Sequence, residues 1–243
     1  MIDTSIENIK KKINLTLDET EKLFDKIFNG EVDTNSLISL LDALEKKGET
    51  PDELAGATTS MRKNSTSIDV NYDQVIDCCG TGGLGKKMIN VSTSVSFVLA
   101  AAGLKVAKHG NRTSTGKSGS ADFLEAAGIN LNKSSDYFSD SLDRIGLGFL
   151  FAQNHHPGMK HVMEARKILG KKTIFNLLGP LSNPAGANIQ SIGVFQSKWI
   201  KPVGEALRNL NCKAAAIFHS DDGLDEISFS SKTQLIELSE SEL

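Results

Sequence analysis

Through the first 68 or so residues the apolar positions recur at intervals of three and four, and from about Asn71 they change to short β-forming runs separated by helical stretches. The first pattern predicts amphipathic helices. Ile6, Ile9 and Ile13 share one face, and Leu23, Phe24, Ile27 and Phe28 share another that stops at Asn29-Gly30, a pair suited to ending a helix. Thr16 with Glu19 has the spacing of a capping box. A third apolar face carries Leu37, Ile38, Leu40, Leu41 and Leu44 and stops near Gly48, after which Thr50-Pro51-Asp52-Glu53 opens a fourth helix with a cap, a proline and early negative charge. Residues 1–70 therefore read as a small all-helical domain with a packing or dimerisation role.

The second pattern predicts a larger α/β domain over 71–243 built on a mainly parallel sheet. Expected strands are Val75 to Cys79, Leu104 to Lys108, Gly148 to Ala152, Ser191 to Phe195, Ala214 to His219 and Glu226 to Phe229. Expected helices are Ser94 to Ala102, Ser120 to Ala127, Tyr137 to Ile145, Met159 to Leu169 and Ile200 to Leu210, several of them ending at glycine. In such sheets ligands bind beyond the carboxyl ends of the strands.

Composition narrows the function classes. With 243 residues, of which 39% are hydrophobic, the chain can bury a sizeable core. Its formal net charge of −3 supplies no extended basic face for nucleic acid, so any basic site must be local. Three cysteines, two of them adjacent at Cys78 and Cys79, form neither a disulfide framework nor a zinc spacing, which fits a reducing cytoplasm. The N-terminus lacks the apolar core of a signal peptide, and no run approaches the roughly 18 to 20 apolar residues that span a bilayer.

The chemistry is concentrated at predicted strand ends. Gly80-Thr81-Gly82-Gly83-Leu84-Gly85 follows the first strand, and Asn90-Val91-Ser92-Thr93 follows it at a helix start. Glycines leave backbone N–H groups open to an anion, and a helix N-terminus adds partial positive charge, so the stretch suits phosphate. It has neither the closing Gly-Lys-Ser/Thr of a Walker loop nor dinucleotide glycine spacing, and alone it also fits a tight turn. A second cluster, Lys108-His109-Gly110-Asn111-Arg112, leads through serial hydroxyls to Ser120 and Asp122, a density suited to polyphosphate. A third comprises Gln153-Asn154-His155-His156-Pro157, Arg166, and Asn176 through Gly179 to Pro184. Arg166 can present its planar fork to a carboxylate, while two adjacent histidines without a third ligand read as hydrogen-bonding or stacking groups. The acidic turn His219-Ser220-Asp221-Asp222-Gly223-Leu224-Asp225-Glu226 offers hard oxygen ligands, which beside a phosphate site point to Mg²⁺.

In order, D-x-x-G-T-G-G, N-V-S-T, K-H-G-N-R, K-S-G-S-A-D-x-L-E-A-A-G, F-L-F-A-Q, H-P-x-M-K-H-V, T-I-F-N-L-L-G-P-L-x-N-P and D-G-L-D-E-I-S resemble the anthranilate phosphoribosyltransferases of tryptophan biosynthesis, and G-E-V and K-G-E-T fit as well. The resemblance implies transfer of phosphoribose from 5-phosphoribosyl pyrophosphate to the amino group of anthranilate, with Mg²⁺ and release of pyrophosphate. It implies that Gly80, Thr81, Gly82, Gly83, Asn90, Ser92, Thr93, Lys108 and Ser120 hold the donor, and that Ser92, Asp225 and Glu226 address the metal. Gly82, Asn111, His109, His156, Arg166 and Gly179 would line the anthranilate route, with His109 in a positioning role and Arg166 meeting the carboxylate. A helical domain joined by mid-chain helices, a larger α/β domain and a homodimer are likewise implied.

Two departures accompany the resemblance: Leu84 stands where the family usually carries an acidic residue, and family chains continue beyond the acidic turn. A pyrimidine nucleoside phosphorylase of the same fold, or an inactive transferase-like protein or fragment, are the alternatives.

Overall fold

The computed structural model describes residues 2–82, 89–113, 118–239 and 242–243. Four helices open the chain: α1 (Ile2–Lys10), α2 (Leu17–Phe28), α3 (Thr34–Lys47) and α4 (Pro51–Lys63). Both expected capping boxes form, at Thr16/Glu19 and at Thr50/Glu53. The second does more than cap. The fully buried Glu53 carboxylate accepts from the Leu15 amide at 3.0 Å, the Thr50 amide at 2.9 Å and Lys47 Nζ at 2.9 Å, joining the ends of three helices at one charge that is paired and hydrogen-bonded. A Cβ at Gly56 would lie 2.3 Å from the Leu17 carbonyl oxygen, so glycine permits the close approach of α4 to α2.

The sheet has the order β3-β2-β1-β4-β5-β6, comprising β1 (Ile76–Gly80), β2 (Val106–Gly110), β3 (Leu147–Phe151), β4 (Ile189–Gly193), β5 (Ala214–Ser220) and β6 (Thr233–Ser239). The first five run parallel and β6 pairs antiparallel with β5. Between the strands lie α5 (Val91–Ala101), α6 (Ser120–Ala126), α7 (Ser135–Ile145), α8 (Ala152–His155), α9 (Met163–Leu169), α10 (Phe175–Leu181) and α11 (Ile200–Asn209). From β1 the chain winds outward to β2 and β3, then returns to β4 on the other side of β1. The strand order therefore reverses between β1 and β4, and their carboxyl ends open a crevice there.

One core runs from the bundle into the sheet. Phe24 and Phe28 meet Phe175 of α10 with ring centroids 5.8 and 6.1 Å away, and the same apolar cluster continues through Leu178 and Leu181 to Ile192, Leu207 and Ile217. Phe175 of α10 thus packs on α2.

Three local expectations are corrected. Glu226 to Phe229 is not a strand: Ser220 Oγ accepts the Ser228 amide at 3.1 Å, Ser228 Oγ donates to Asp222 at 2.7 Å, and Phe229 stands fully exposed. Side-chain oxygens there satisfy the backbone in place of a ladder, and the last strand comes later, as β6. The second strand begins at Val106 because the Leu104 amide bonds back to Leu99 at 3.1 Å, closing α5 over Gly103 at φ +92°. The helix expected from Met159 is a 3₁₀ turn, Pro157–His161, followed by α9. A helix not among those expected, α10, forms across Gly179-Pro180 because its apolar face is buried in the bundle core.

Candidate active site

On the β1 side of the crevice, backbone and acid meet closely. The Thr81 amide donates to the Gly193 carbonyl at 2.9 Å, and the Gly82 amide donates to Asp225 Oδ2 at 2.8 Å. Glycine is required at β1's end and at its neighbour: a Cβ at Gly80 would lie 2.8 Å from Asp225 Oδ2, and one at Gly193 1.7 Å from the Asp225 carbonyl oxygen. Gly83 and Leu84 lie outside the described residues. Lys108, buried on β2, donates to the Cys78 carbonyl at 2.6 Å and to Ser92 Oγ at 3.3 Å. Asn90 reaches Ser118 Oγ at 3.2 Å, Ser120 Oγ donates to the Asn111 carbonyl at 3.3 Å, and the buried Thr93 hydroxyl has no partner among the described residues.

Burial pushes the Asp225 carboxyl up. It pushes Glu226 up to about 7, helped by the neighbouring Asp225 charge and opposed by Lys108 and by a hydrogen bond from the Ser92 amide. Two adjacent carboxylates withdrawn from water form a place where a divalent cation relieves repulsion. Among the described residues no group of three or more His, Cys, Asp or Glu side chains could cage a metal. That donor set, few carboxylates beside a phosphate-suited loop, fits Mg²⁺, which is commonly held by one or two carboxylates plus substrate phosphates.

On the other side the groups are neutral and mutually bonded. His109 Nδ1 lies 3.2 Å from the Gly179 carbonyl oxygen, and His109 Nε2 lies 3.3 Å from His156 Nε2. A carbonyl only accepts, so Nδ1 of His109 carries the proton, its Nε2 accepts, and His156 Nε2 donates. Burial, with His156 as the next cause, holds His109 down to about 3, and burial with His155 holds His156 down to about 4, so both rings are neutral near pH 7. Arg166 on α9 has its guanidinium 5.8 Å from the Phe175 ring centroid; burial lowers its pKa, and no carboxylate pairs with it among the described residues. Asn111 Oδ1 accepts from the Arg112 amide at 2.8 Å and from Gln153 Nε2 at 3.4 Å.

The structure thus joins Gly80, Thr81, Gly82, Ser92, Lys108, Asp225 and Glu226 in one group, and His109, His156 and Gly179 in another. Asn111 and Ser120 meet at the β2 exit. Arg166 stands apart, with no hydrogen bond to either histidine or to Asn111 among the described residues. Two buried residues were quoted within motifs without a role: Asp77, whose carboxyl burial raises to about 6, and Asn183, whose Nδ2 donates to Asp77 Oδ2 at 2.8 Å. A lone carboxylate inside the apolar run leading to the glycine loop was the available signal.

The layout is that of a two-domain glycosyl-transferring enzyme. The chain matches the model described as "Glycosyl transferase family, helical bundle domain" over residues 4–65 and the one described as "Glycosyl transferase family, a/b domain" over residues 72–243. It is 45% identical over 240 residues to an anthranilate phosphoribosyltransferase of Desulfatibacillum aliphaticivorans, covering 99% of this chain and 71% of that one. The crystal structure of anthranilate phosphoribosyltransferase from Thermus thermophilus superposes with a TM-score of 0.90 at 37% identity, covering 96% of this chain and 70% of that one. The Saccharomyces cerevisiae enzyme, in complex with PRPP and Mg, gives a TM-score of 0.82 at 27% identity, covering 98% and 75%. This chain belongs to the anthranilate phosphoribosyltransferase family. It spans 71% of the length of the Desulfatibacillum relative. Membership favours the transferase over the phosphorylase alternative. No described helix is long and apolar enough to cross a membrane.

Proposed function

We propose that the protein transfers 5-phosphoribose from 5-phosphoribosyl pyrophosphate to the amino group of anthranilate. The observation that carries this reading is the divergence of two successive β2 residues: Lys108 reaches toward Ser92 of α5, while His109 reaches toward Gly179 of α10. Alternation along one strand therefore points a buried cation to one half of the crevice and a neutral imidazole to the other. The first half, with Gly80 to Gly82, Asn90, Ser92, Thr93 and Ser120, would take the pyrophosphate and ribose phosphate. Ser92, Asp225 and Glu226 would hold Mg²⁺, which when bound supplies charge stabilisation to the departing pyrophosphate.

In the reaction the bond from the anomeric carbon to pyrophosphate breaks with its electron pair on the leaving oxygen. The amine lone pair forms the new C–N bond and the nitrogen gives up one proton. The chain's task is to place the amine and to meet developing negative charge on the leaving group. Arg166 would bind the anthranilate carboxylate, and Asn111 and Gly179 would line its path. His109 has no free lone pair, since His156 donates to its Nε2, so it orients the acceptor rather than taking the proton. An arylamine is already unprotonated near neutral pH and needs no strong base. A homodimer through the helical region belongs to the same proposal, on the strength of the resemblance.

The test is the decay of anthranilate fluorescence on adding donor. The expected result is turnover that requires Mg²⁺ and stops with a chelator. Donor binding without any loss of fluorescence would sink the reading.

A further inference from the structure

Adjacent strands in this sheet pair along their length with one exception. β1 matches β4 from Ile76 to Gly80, and β2 matches β3 from Val106 to Gly110, but β1 and β2 are in register at Ile76 and Val106 only. Beyond that point side chains replace the ladder. Asp77 Oδ1 accepts the His109 amide at 3.1 Å, Asn183 Nδ2 donates to the Ala107 carbonyl at 2.7 Å, and Lys108 Nζ donates to the Cys78 carbonyl at 2.6 Å. The seam is held open by three polar side chains, and it separates the glycine loop on β1 from His109 on β2.

Asn183 alone among these comes from outside the seam. It follows α10, is 1% exposed, and has its remaining polar group engaged, with Oδ1 accepting the Ala185 amide at 2.9 Å. Its Nδ2 closes on Asp77 Oδ2 at 2.8 Å, so a single carboxylate grips both the backbone of His109 and the chain leaving α10. Four residues earlier, that chain presents the Gly179 carbonyl that fixes the His109 ring. Backbone and ring of His109 are thereby set by one buried pair.

We infer that Asn183, acting through Asp77, is a positioning residue for the acceptor: it fixes α10 against β2 so that His109, Gly179 and His156 present one surface to anthranilate. The inference rests on the proposed transferase activity. It reaches the donor half only through Asp77's place on β1, so its loss is expected to fall on one substrate.

Asn183→Asp removes both donated hydrogen bonds at nearly constant volume and sets a carboxylate against Asp77. The expected result is a rise of about tenfold in the KM for anthranilate with the donor KM changed by less than about twofold. Exchanging the pair, Asp77→Asn with Asn183→Asp, restores the amide-to-carboxylate bond with its direction reversed and leaves an oxygen for the His109 amide. Because a carboxylate at 183 still leaves the Ala107 carbonyl without the donor it has at 2.7 Å, the exchange should recover only part of the anthranilate KM. Equal rises in both KM values would reduce Asn183 to a general packing residue and overturn the inference. Circular dichroism verifies folding, and the milder Asn183→Ser, which keeps one donor, reads the same split if the acid variant does not fold. If the unmodified protein shows no turnover, the transferase reading has failed instead, and anthranilate binding followed by its own fluorescence still decides the role of Asn183.

Discussion

The two halves of the crevice are stabilised in opposite ways. Around Gly82, Asp225 and Glu226 the structure gathers charge: a buried lysine and two carboxylates that burial drives toward their neutral forms. Around His109 the groups are neutral and satisfy one another through a chain from the Gly179 carbonyl to His156. The first half suits ligands that carry both signs of charge, and the second is preorganised; Arg166, which has no carboxylate partner among the described residues, lies over the Phe175 ring apart from both. A charged donor with a metal suits the first, and a flat aromatic acid suits the second. Chemistry that needs placement more than proton transfer suits their meeting.

The comparison is broken hardest at Arg166. A desolvated guanidinium that meets a carboxylate contributes on the order of 2–4 kcal/mol, so Arg166→Ala should lower kcat/KM for anthranilate by roughly 30- to 700-fold while the donor KM hardly moves. Steady-state kinetics with each substrate varied in turn will read this. A loss shared equally by both substrates would dissolve the division into halves.

A smaller effect is expected on the opposite side. Gly193→Ala would place a Cβ 1.7 Å from the Asp225 carbonyl oxygen, so the acidic turn must move off β4. We expect the donor KM and the Mg²⁺ concentration for half-maximal rate to rise about tenfold, since a displacement near 1 Å in a charged site carries a cost of that order or more. The anthranilate KM should stay close to its original value. An unchanged metal requirement would show that the acidic turn does not serve the donor.

What the sequence made legible follows from the range of the interactions concerned. Gly80 to Gly82 at the end of β1 and Asn90-Val91-Ser92-Thr93 at the start of α5 could be read because their chemistry is local to an element's end, whereas Lys108-His109 lies within β2 itself. Capping boxes were equally local, yet the burial of Glu53 against Lys47 was not, because it depends on where Leu15 lies in space. The stretch Glu226 to Phe229 has β-forming residues, but hydroxyls from Ser220 and Thr233 compete for its backbone. Asp77 and Asn183 stand 106 residues apart, and no periodicity in either segment signals their pairing. No helix was expected at α10, whose Gly179-Pro180 pair has low helical propensity; burial of Leu177, Leu178 and Leu181 overrides it.

The finest test of the preorganised half uses pH. His109 is held down to about 3 and His156 to about 4, first by burial, against an ordinary value of 6.5. The native state therefore binds fewer protons than the unfolded chain between those values, and stability rises with pH across that window. The contribution is fully present above about pH 6.5 and is lost as pH falls through about 4 and then 3, on the order of 3 kcal/mol for His156 and 5 kcal/mol for His109. His156→Asn should flatten the acid limb of a denaturation series between pH 6.5 and 4. Activity should behave differently. Both rings are neutral from pH 7 to 9, so neither contributes an ionisation to kcat/KM for anthranilate there, and the profile of His109→Asn should keep the original shape at a lower level. A limb that disappears with the His109 ring would mean that its Nε2 lone pair is released from His156 during the reaction, and that the imidazole takes the amine proton after all.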